Sequence, residues 1–232
     1  MPRKPREDWP GAWHHVMNRG RNRDIIFRDD EDANVFLYLI GEICSIYEVE
    51  VHAYSLMPNH YHLLVRSLHG NLSDAMQYLG ATYTQKYNAR HGGDGGLFRG
   101  RFKSQAIKYE PYLIYVLAYI HLNPLKANLV TKLDSEYAWT SHRAYMGGMP
   151  QPDWLTTETF LGFYDSPTEM EELILRLHRK AESWPEGMTK DGWFKWHLCP
   201  VDKEAMKKGA GGDEEVEVDE LLDMVCKICG AD

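Results

Sequence analysis

Between residues 29 and 48 the apolar positions recur at helical spacing. Ala33, Phe36, Leu37, Ile40, Ile43, Cys44 and Tyr47 form one stripe behind an acidic opening, Asp29 to Asp32, that suits the positive end of a helix dipole. On the C-terminal side the period falls to two. The runs 49–57 and 60–67 read as strands, and Pro58-Asn59 between them signals a hairpin turn. Helical spacing returns over 71–90, where Met76, Leu79 and Tyr83 line an inner face and Asn71 or Ser73 can cap the start. Short extended runs at 12–20 and 102–110 complete the strands. A third helix is expected over 111–123, with Pro111 at its tolerated first position and Pro124 as its stop.

The order β-α-β-β-α-β-α predicts an α+β protein. Its first six elements spell a ferredoxin-like βαββαβ antiparallel sheet with helices on one face, leaving the other face free to carry a site. Residues 1–150 are expected to form this domain. Residues 151–206 read as a mainly helical extension, with helices over 154–164 and 166–182 and an aromatic-rich stretch at 191–200. Residues 207–217 read as an acidic, Gly-rich linker, and 218–232 as the opening of a further helix.

Composition narrows the class. No apolar run approaches a membrane span, and the N-terminus has no apolar core of a signal peptide. Four cysteines are too few for a disulfide scaffold, so a reducing cytoplasm is the expected compartment. Cys226 and Cys229, with His197 and Cys199 upstream, have zinc-like spacing, but small buried helix residues explain the pair equally well. The net charge of -8 argues at first against nucleic acid. It is unevenly spread: residues 1–150 hold 17 basic and 15 acidic side chains, and the remainder 9 and 19. The basic residues of the first part cluster as Arg3, Lys4 and Arg6; as Arg19, Arg21 and Arg23; and as Arg99, Arg101 and Lys103. Such patches, rather than the total, set phosphate affinity. In "LFRGRFKS" (97–104) the last cluster alternates with Phe98 and Phe102, so phosphate contacts with a stacking ring compete with a solvated edge over two core rings.

The strand 60–67 carries the candidate chemistry. Tyr61, Leu63 and Val65 share one side of it, and His60, His62, Leu64 and Arg66 share the other. Two imidazoles on one face suit one metal ion or one phosphate, against the plainer alternative of two half-exposed strand histidines. On the third helix Tyr119 and Asn123 lie four apart on one face, and Tyr112 and Tyr115 extend a stripe that reads best as packing against the sheet.

His60-Tyr61-His62 resembles the His-hydrophobic-His motif of the single-tyrosine HUH (IS200-like) transposases. With "HVMNRGRNRDIIFRDDED", "GLFRGRFKS", "YIHLNPLKANLV" and "YAWTSHRAYMGG", the chain from about residue 2 to about 165 resembles the REP-associated tyrosine transposase branch. Thr140 stands where relatives usually have Ser. The resemblance implies that His60, His62 and Asn123 ligate Mg²⁺ or Mn²⁺ and that Tyr119 is the nucleophile. It implies a metal-dependent single-strand endonuclease and strand transferase that forms a 5′-phosphotyrosine bond on single-stranded DNA with hairpins, as a monomer or homodimer. Some longer relatives continue into a helix-turn-helix, so 218–232 resembles the truncated start of one. The basic clusters named above are the candidate DNA-binding residues. Two rivals remain at this point: a non-catalytic hairpin-binding protein on the same fold, and an RNA binder of the RRM type, which would want aromatics where His60 and His62 stand.

Overall fold

The computed structural model describes residues 6–108, 112–133 and 137–182. Two compact units divide the chain, Met1–Leu175 and Arg176–Asp232. The sheet and everything packed on it lie in the first. Of the second, the described part is the end of the last helix, over 176–182. Arg3, Lys4, His197, Cys199, Cys226, Cys229, the expected linker at 207–217 and the expected helix at 218–232 lie outside the described residues. No described helix is long and apolar enough to cross a membrane.

Strands β1 (Ala12–Arg19), β2 (Val49–Met57), β3 (His60–Ser67) and β4 (Lys103–Ile107) form one sheet in the order β2-β3-β1-β4, with every neighbouring pair antiparallel. Helices α1 (Asp30–Tyr47) and α2 (Leu72–His91) connect them, which is the ferredoxin-like arrangement the element order predicts. Asp29 caps α1 by accepting a hydrogen bond from the Asp32 amide at 3.1 Å, and Gly92 ends α2 with φ of 66°, where a side chain is strained.

One face of the sheet is a closed apolar core. Val16, Val51, Tyr54, Leu56, Tyr61, Leu63 and Val65 meet Phe36 and Ile40 of α1 and Leu79 and Tyr83 of α2. Each such side chain contributes about 1.5–3 kcal/mol on burial.

The opposite face is not open, as the first six elements alone imply. Helix α3 (Tyr112–Lys126) lies across it on β2 and β3 and buries Leu113, Leu117, Ile120 and Leu122. The helix also continues past the expected stop, with Pro124 inside its last turn at the loss of one amide donor. Beyond α3 the chain returns along β2, the edge strand on that side. The Leu56 amide donates to the Trp139 carbonyl at 2.8 Å, the Ser141 amide to Tyr54 at 3.0 Å and the Thr156 amide to Val51 at 2.9 Å. That segment covers an edge that would otherwise offer free backbone groups. It carries the short helices α4 (His142–Tyr145) and α5 (Glu158–Leu161) and leads into α6 (Pro167–Glu182).

Candidate active site

Register places the polar side chains of the α3 face in rows across the sheet. Met57, His60 and Arg19 stand opposite one another in the first row; Ser55, His62, Met17 and Lys103 form the second; Ala53, Leu64, His15 and Gln105 form the third. A bulge in β2 between Val51 and Ala53 inserts His52 as an extra residue, so His52 joins this face against Trp13, with ring centroids 4.4 Å apart.

His60 and His62 meet edge to face at 5.2 Å, and the Tyr119 ring of α3 stands edge to face on His62 at 5.4 Å. The expected pair and the expected tyrosine are therefore together in one chain. Asn123, one turn on, donates from Nδ2 to the Tyr119 carbonyl at 2.8 Å, which leaves its amide oxygen as its remaining acceptor. His62 is buried and His60 half-buried. Burial, with the Arg19 charge adding to it, lowers His60 to about 4, and burial holds His62 well below the usual range. Both rings are thus neutral near pH 7, the state in which imidazole ligates a metal. Burial pushes the Tyr119 hydroxyl the other way, up to about 12, against a hydrogen bond from Asn123 that lowers it.

Two further residues reach this cluster. His15 Nε2 lies 2.9 Å from His62 Nδ1, and its ring stands 5.6 Å from that of Tyr119. Lys126 lies two turns along α3 from Tyr119, with Nζ 5.0 Å from the tyrosine ring centroid. Desolvation lowers its ammonium to about 8. Sequence reasoning passes over both. Alternation along β1 separates His14 from His15, but only the sheet order puts His15 beside His62.

The basic residues divide. Arg19 borders the site opposite His60, the Arg99 backbone amide donates a hydrogen bond to the Arg19 carbonyl at 3.0 Å, and Lys103 shares the row of His62. Desolvation and the charges of Arg19 and Arg99 lower the Lys103 ammonium, so the three cations crowd one region. Arg21, Arg23 and Arg101 are exposed. Arg6 is held on the sheet instead, its guanidinium 3.8 Å over the Phe102 ring and donating to the Phe102 carbonyl at 2.6 Å. Neither phenylalanine is presented as a stacking ring: Phe102 is buried, and Phe98 packs on Tyr61 and Tyr83.

The helix bearing Tyr119 is fastened from behind. His121 Nε2 meets Ser141 Oγ at 2.9 Å, and that hydroxyl also accepts from the Tyr54 amide of β2 at 2.9 Å. His142, 3.3 Å from His121, reaches Glu171 of α6 at 3.3 Å. Satisfied buried polar chains of this kind fix one arrangement of the elements they join.

A pair of neutral imidazoles is chemistry that a divalent cation can use. Each histidine has its Nδ1 engaged, His60 on Asn59 Oδ1 at 2.7 Å and His62 on His15, so Nε2 is the atom each can offer a metal. Among the described residues no group of three or more His, Cys, Asp or Glu could hold a metal alone. An anionic substrate would have to supply further ligands to any ion that the two imidazoles hold.

Residues 10–123 match the family model described as transposase IS200 like. Among solved structures, a REP-associated tyrosine transposase bound to a REP hairpin is similar, with TM-score 0.52 and 18% identity, covering 67% of this chain and 92% of that one. That likeness shows the fold. A putative transposase from Deinococcus radiodurans R1 aligns at 17% identity and TM-score 0.36 over 48% of this chain and 91% of its own. A search of curated proteins finds no match.

Proposed function

Residues 10–123 belong to the family of IS200-like transposases, and from that premise we propose that the protein cuts and rejoins single-stranded DNA through a covalent bond to Tyr119. The observation that carries this is the placement of the Tyr119 ring 5.4 Å from that of His62, on a helix seated over the strand that bears the histidine pair.

In the proposed reaction the Tyr119 hydroxyl oxygen attacks a phosphodiester phosphorus. The oxygen–phosphorus bond to the tyrosine forms as the bond to the 3′ oxygen breaks. The tyrosine proton is lost and one is gained by the departing oxygen, which leaves as a 3′-OH. A later 3′-OH attacks the 5′-phosphotyrosine and restores both a phosphodiester and the tyrosine, so strands are joined without an external energy source. A buried hydroxyl with a pKa near 12 is a poor nucleophile at neutral pH. The Asn123 hydrogen bond favours the ionised form, and Lys126 stands over the ring. A Mg²⁺ or Mn²⁺ ion held by His60, His62 and the Asn123 amide oxygen would neutralise charge on the scissile phosphate. Arg19, Arg99 and Lys103 would hold neighbouring phosphates, joined by Arg21, Arg23 and Arg101 and by the N-terminal basic residues Arg3, Lys4 and Arg6.

Hairpin DNA is the substrate we favour, because the solved relative with the same fold is bound to one. The test uses end-labelled hairpin oligonucleotides from repeats flanking the gene, incubated with protein and Mn²⁺ and run on a denaturing gel. A retarded covalent band that requires both metal and Tyr119 is the expected result. Tight binding without a covalent band, across several hairpins and both metals, would replace this reading with that of a non-catalytic hairpin binder.

A further inference from the structure

The contact between His15 and His62 has no role in the reaction as written. Their Nε2 and Nδ1 atoms lie 2.9 Å apart, with the ring centroids 5.1 Å apart and the planes 25° from parallel. Two neutral imidazoles that meet nitrogen to nitrogen share one proton, so one ring donates and the other accepts. A His62 that ligates through Nε2 must carry its own proton on Nδ1. It therefore donates to His15 Nε2, and the remaining proton of His15 is on its Nδ1.

His60 shows the same device built from a different group. Asn59 Nδ2 donates to the Arg23 carbonyl at 3.1 Å, which orients the amide so that Oδ1 faces His60 Nδ1 at 2.7 Å. An amide oxygen only accepts, so His60 is also protonated on Nδ1. One member of the pair is set by the amide of the hairpin turn, and the other by an imidazole on the neighbouring strand.

Resting on the metal-dependent reading above, we propose that His15 is a positioning residue that holds His62 in the tautomer and ring orientation required of a metal ligand. It acts through its Nε2 acceptor rather than by ligating the ion. Its place is enforced by the sheet: opposite Leu64 on β3 and Gln105 on β4, on the same face as His62. It also stands edge to face on Tyr119 at 5.6 Å, so one ring braces both the ligand and the nucleophile.

The test compares the full chain with its variants H15Q, H15L and H60A/H62A. Mn²⁺ affinity is read by electron paramagnetic resonance titration without DNA. Side-chain ¹⁵N spectra of the metal-free protein report the His62 tautomer. H15L removes the acceptor and is expected to weaken Mn²⁺ binding by about 10- to 100-fold. H15Q keeps an acceptor oxygen and is expected to recover most of that loss. The tautomer of His62 is expected to be Nδ1–H in the wild type and in H15Q, and mixed in H15L. Pulsed resonance is expected to count two imidazole nitrogens on the ion. Should H15L fail to fold, H15N, whose amide is one methylene too short to reach, takes its place. Unchanged affinity and tautomer in H15L or H15N, or three coordinated imidazoles in the wild type, overturns the role of His15. A wild type that binds Mn²⁺ no better than H60A/H62A instead overturns the metal site itself, and the metal-free tautomer still decides the part of His15.

Discussion

The two faces of the sheet are built from the same four strands and do opposite things. On the α1 and α2 side the inward positions are apolar apart from His14 and Ser67, and Phe36 alone meets the rings of Phe27, Tyr61 and Tyr83. On the α3 side the inward positions include His15, His52, His60, His62, Arg19 and Lys103. Both faces are covered by helix. The apolar face gains from exclusion of water, whereas the α3 face holds imidazoles that burial keeps neutral. Desolvating them costs stability, and the helix that imposes this cost is the one that carries Tyr119.

That contrast breaks most sharply at Tyr119. Tyr119→Phe is expected to abolish covalent DNA capture, a fall of at least about 10³-fold in a cleavage assay, while leaving hairpin affinity and the unfolding midpoint near wild type. Because the tyrosine stands beside the histidines of its own chain, mixing Tyr119→Phe with His62→Ala is expected to restore no cleavage. Recovery of activity in the mixture would show that the nucleophile serves a partner's site. On the apolar face the opposite pattern is expected. Phe36→Ala should cost about 3–5 kcal/mol in urea unfolding, with any activity lost only in proportion to the folded fraction.

The pH dependence of stability reads the buried histidines of both faces together. Burial lowers His52 to about 4, with the Arg66 charge adding to it against Glu50, and burial lowers His14 and His121 as well. Unfolded imidazoles take up protons near about pH 6.5. Below that value the unfolded chain binds more protons than the folded one, so stability falls with pH until the folded groups themselves titrate. The urea midpoint is expected to be flat above about 6.5 and to drop progressively towards about 4. A midpoint that stays level through that window would contradict neutral burial. The smallest effects belong to the rim: Arg99→Ala and Lys103→Ala should each weaken hairpin binding a few-fold and reduce its salt slope by about 1.

Strands β2 and β3 and the turn between them are legible to the residue, because alternation and the Pro58-Asn59 pair are local signals. The pairing of His60 and His62 on one face is legible for the same reason. What is not legible comes from elsewhere in the chain. The covering of the second face depends on where α3 folds back, which no periodicity states. His15 joins the site through the non-sequential neighbours β1 and β3. His52 reaches that face through a bulge that breaks strict alternation. Phe98 and Phe102 alternate with arginines as a DNA-stacking stretch would, yet the core takes the rings. Lys126 lies beyond Pro124, where the helix is expected to have ended.

The most direct measurement is the site of the covalent bond. After reaction with a hairpin oligonucleotide, nuclease trimming and trypsin digestion, fragmentation of the peptide spanning 109–126 must distinguish Tyr109, Tyr112, Tyr115 and Tyr119. A residual nucleotide linked through its 5′ phosphate to Tyr119 alone is the predicted result. A nucleotide on another residue, or none on any peptide from protein that has cut its DNA, would contradict the account.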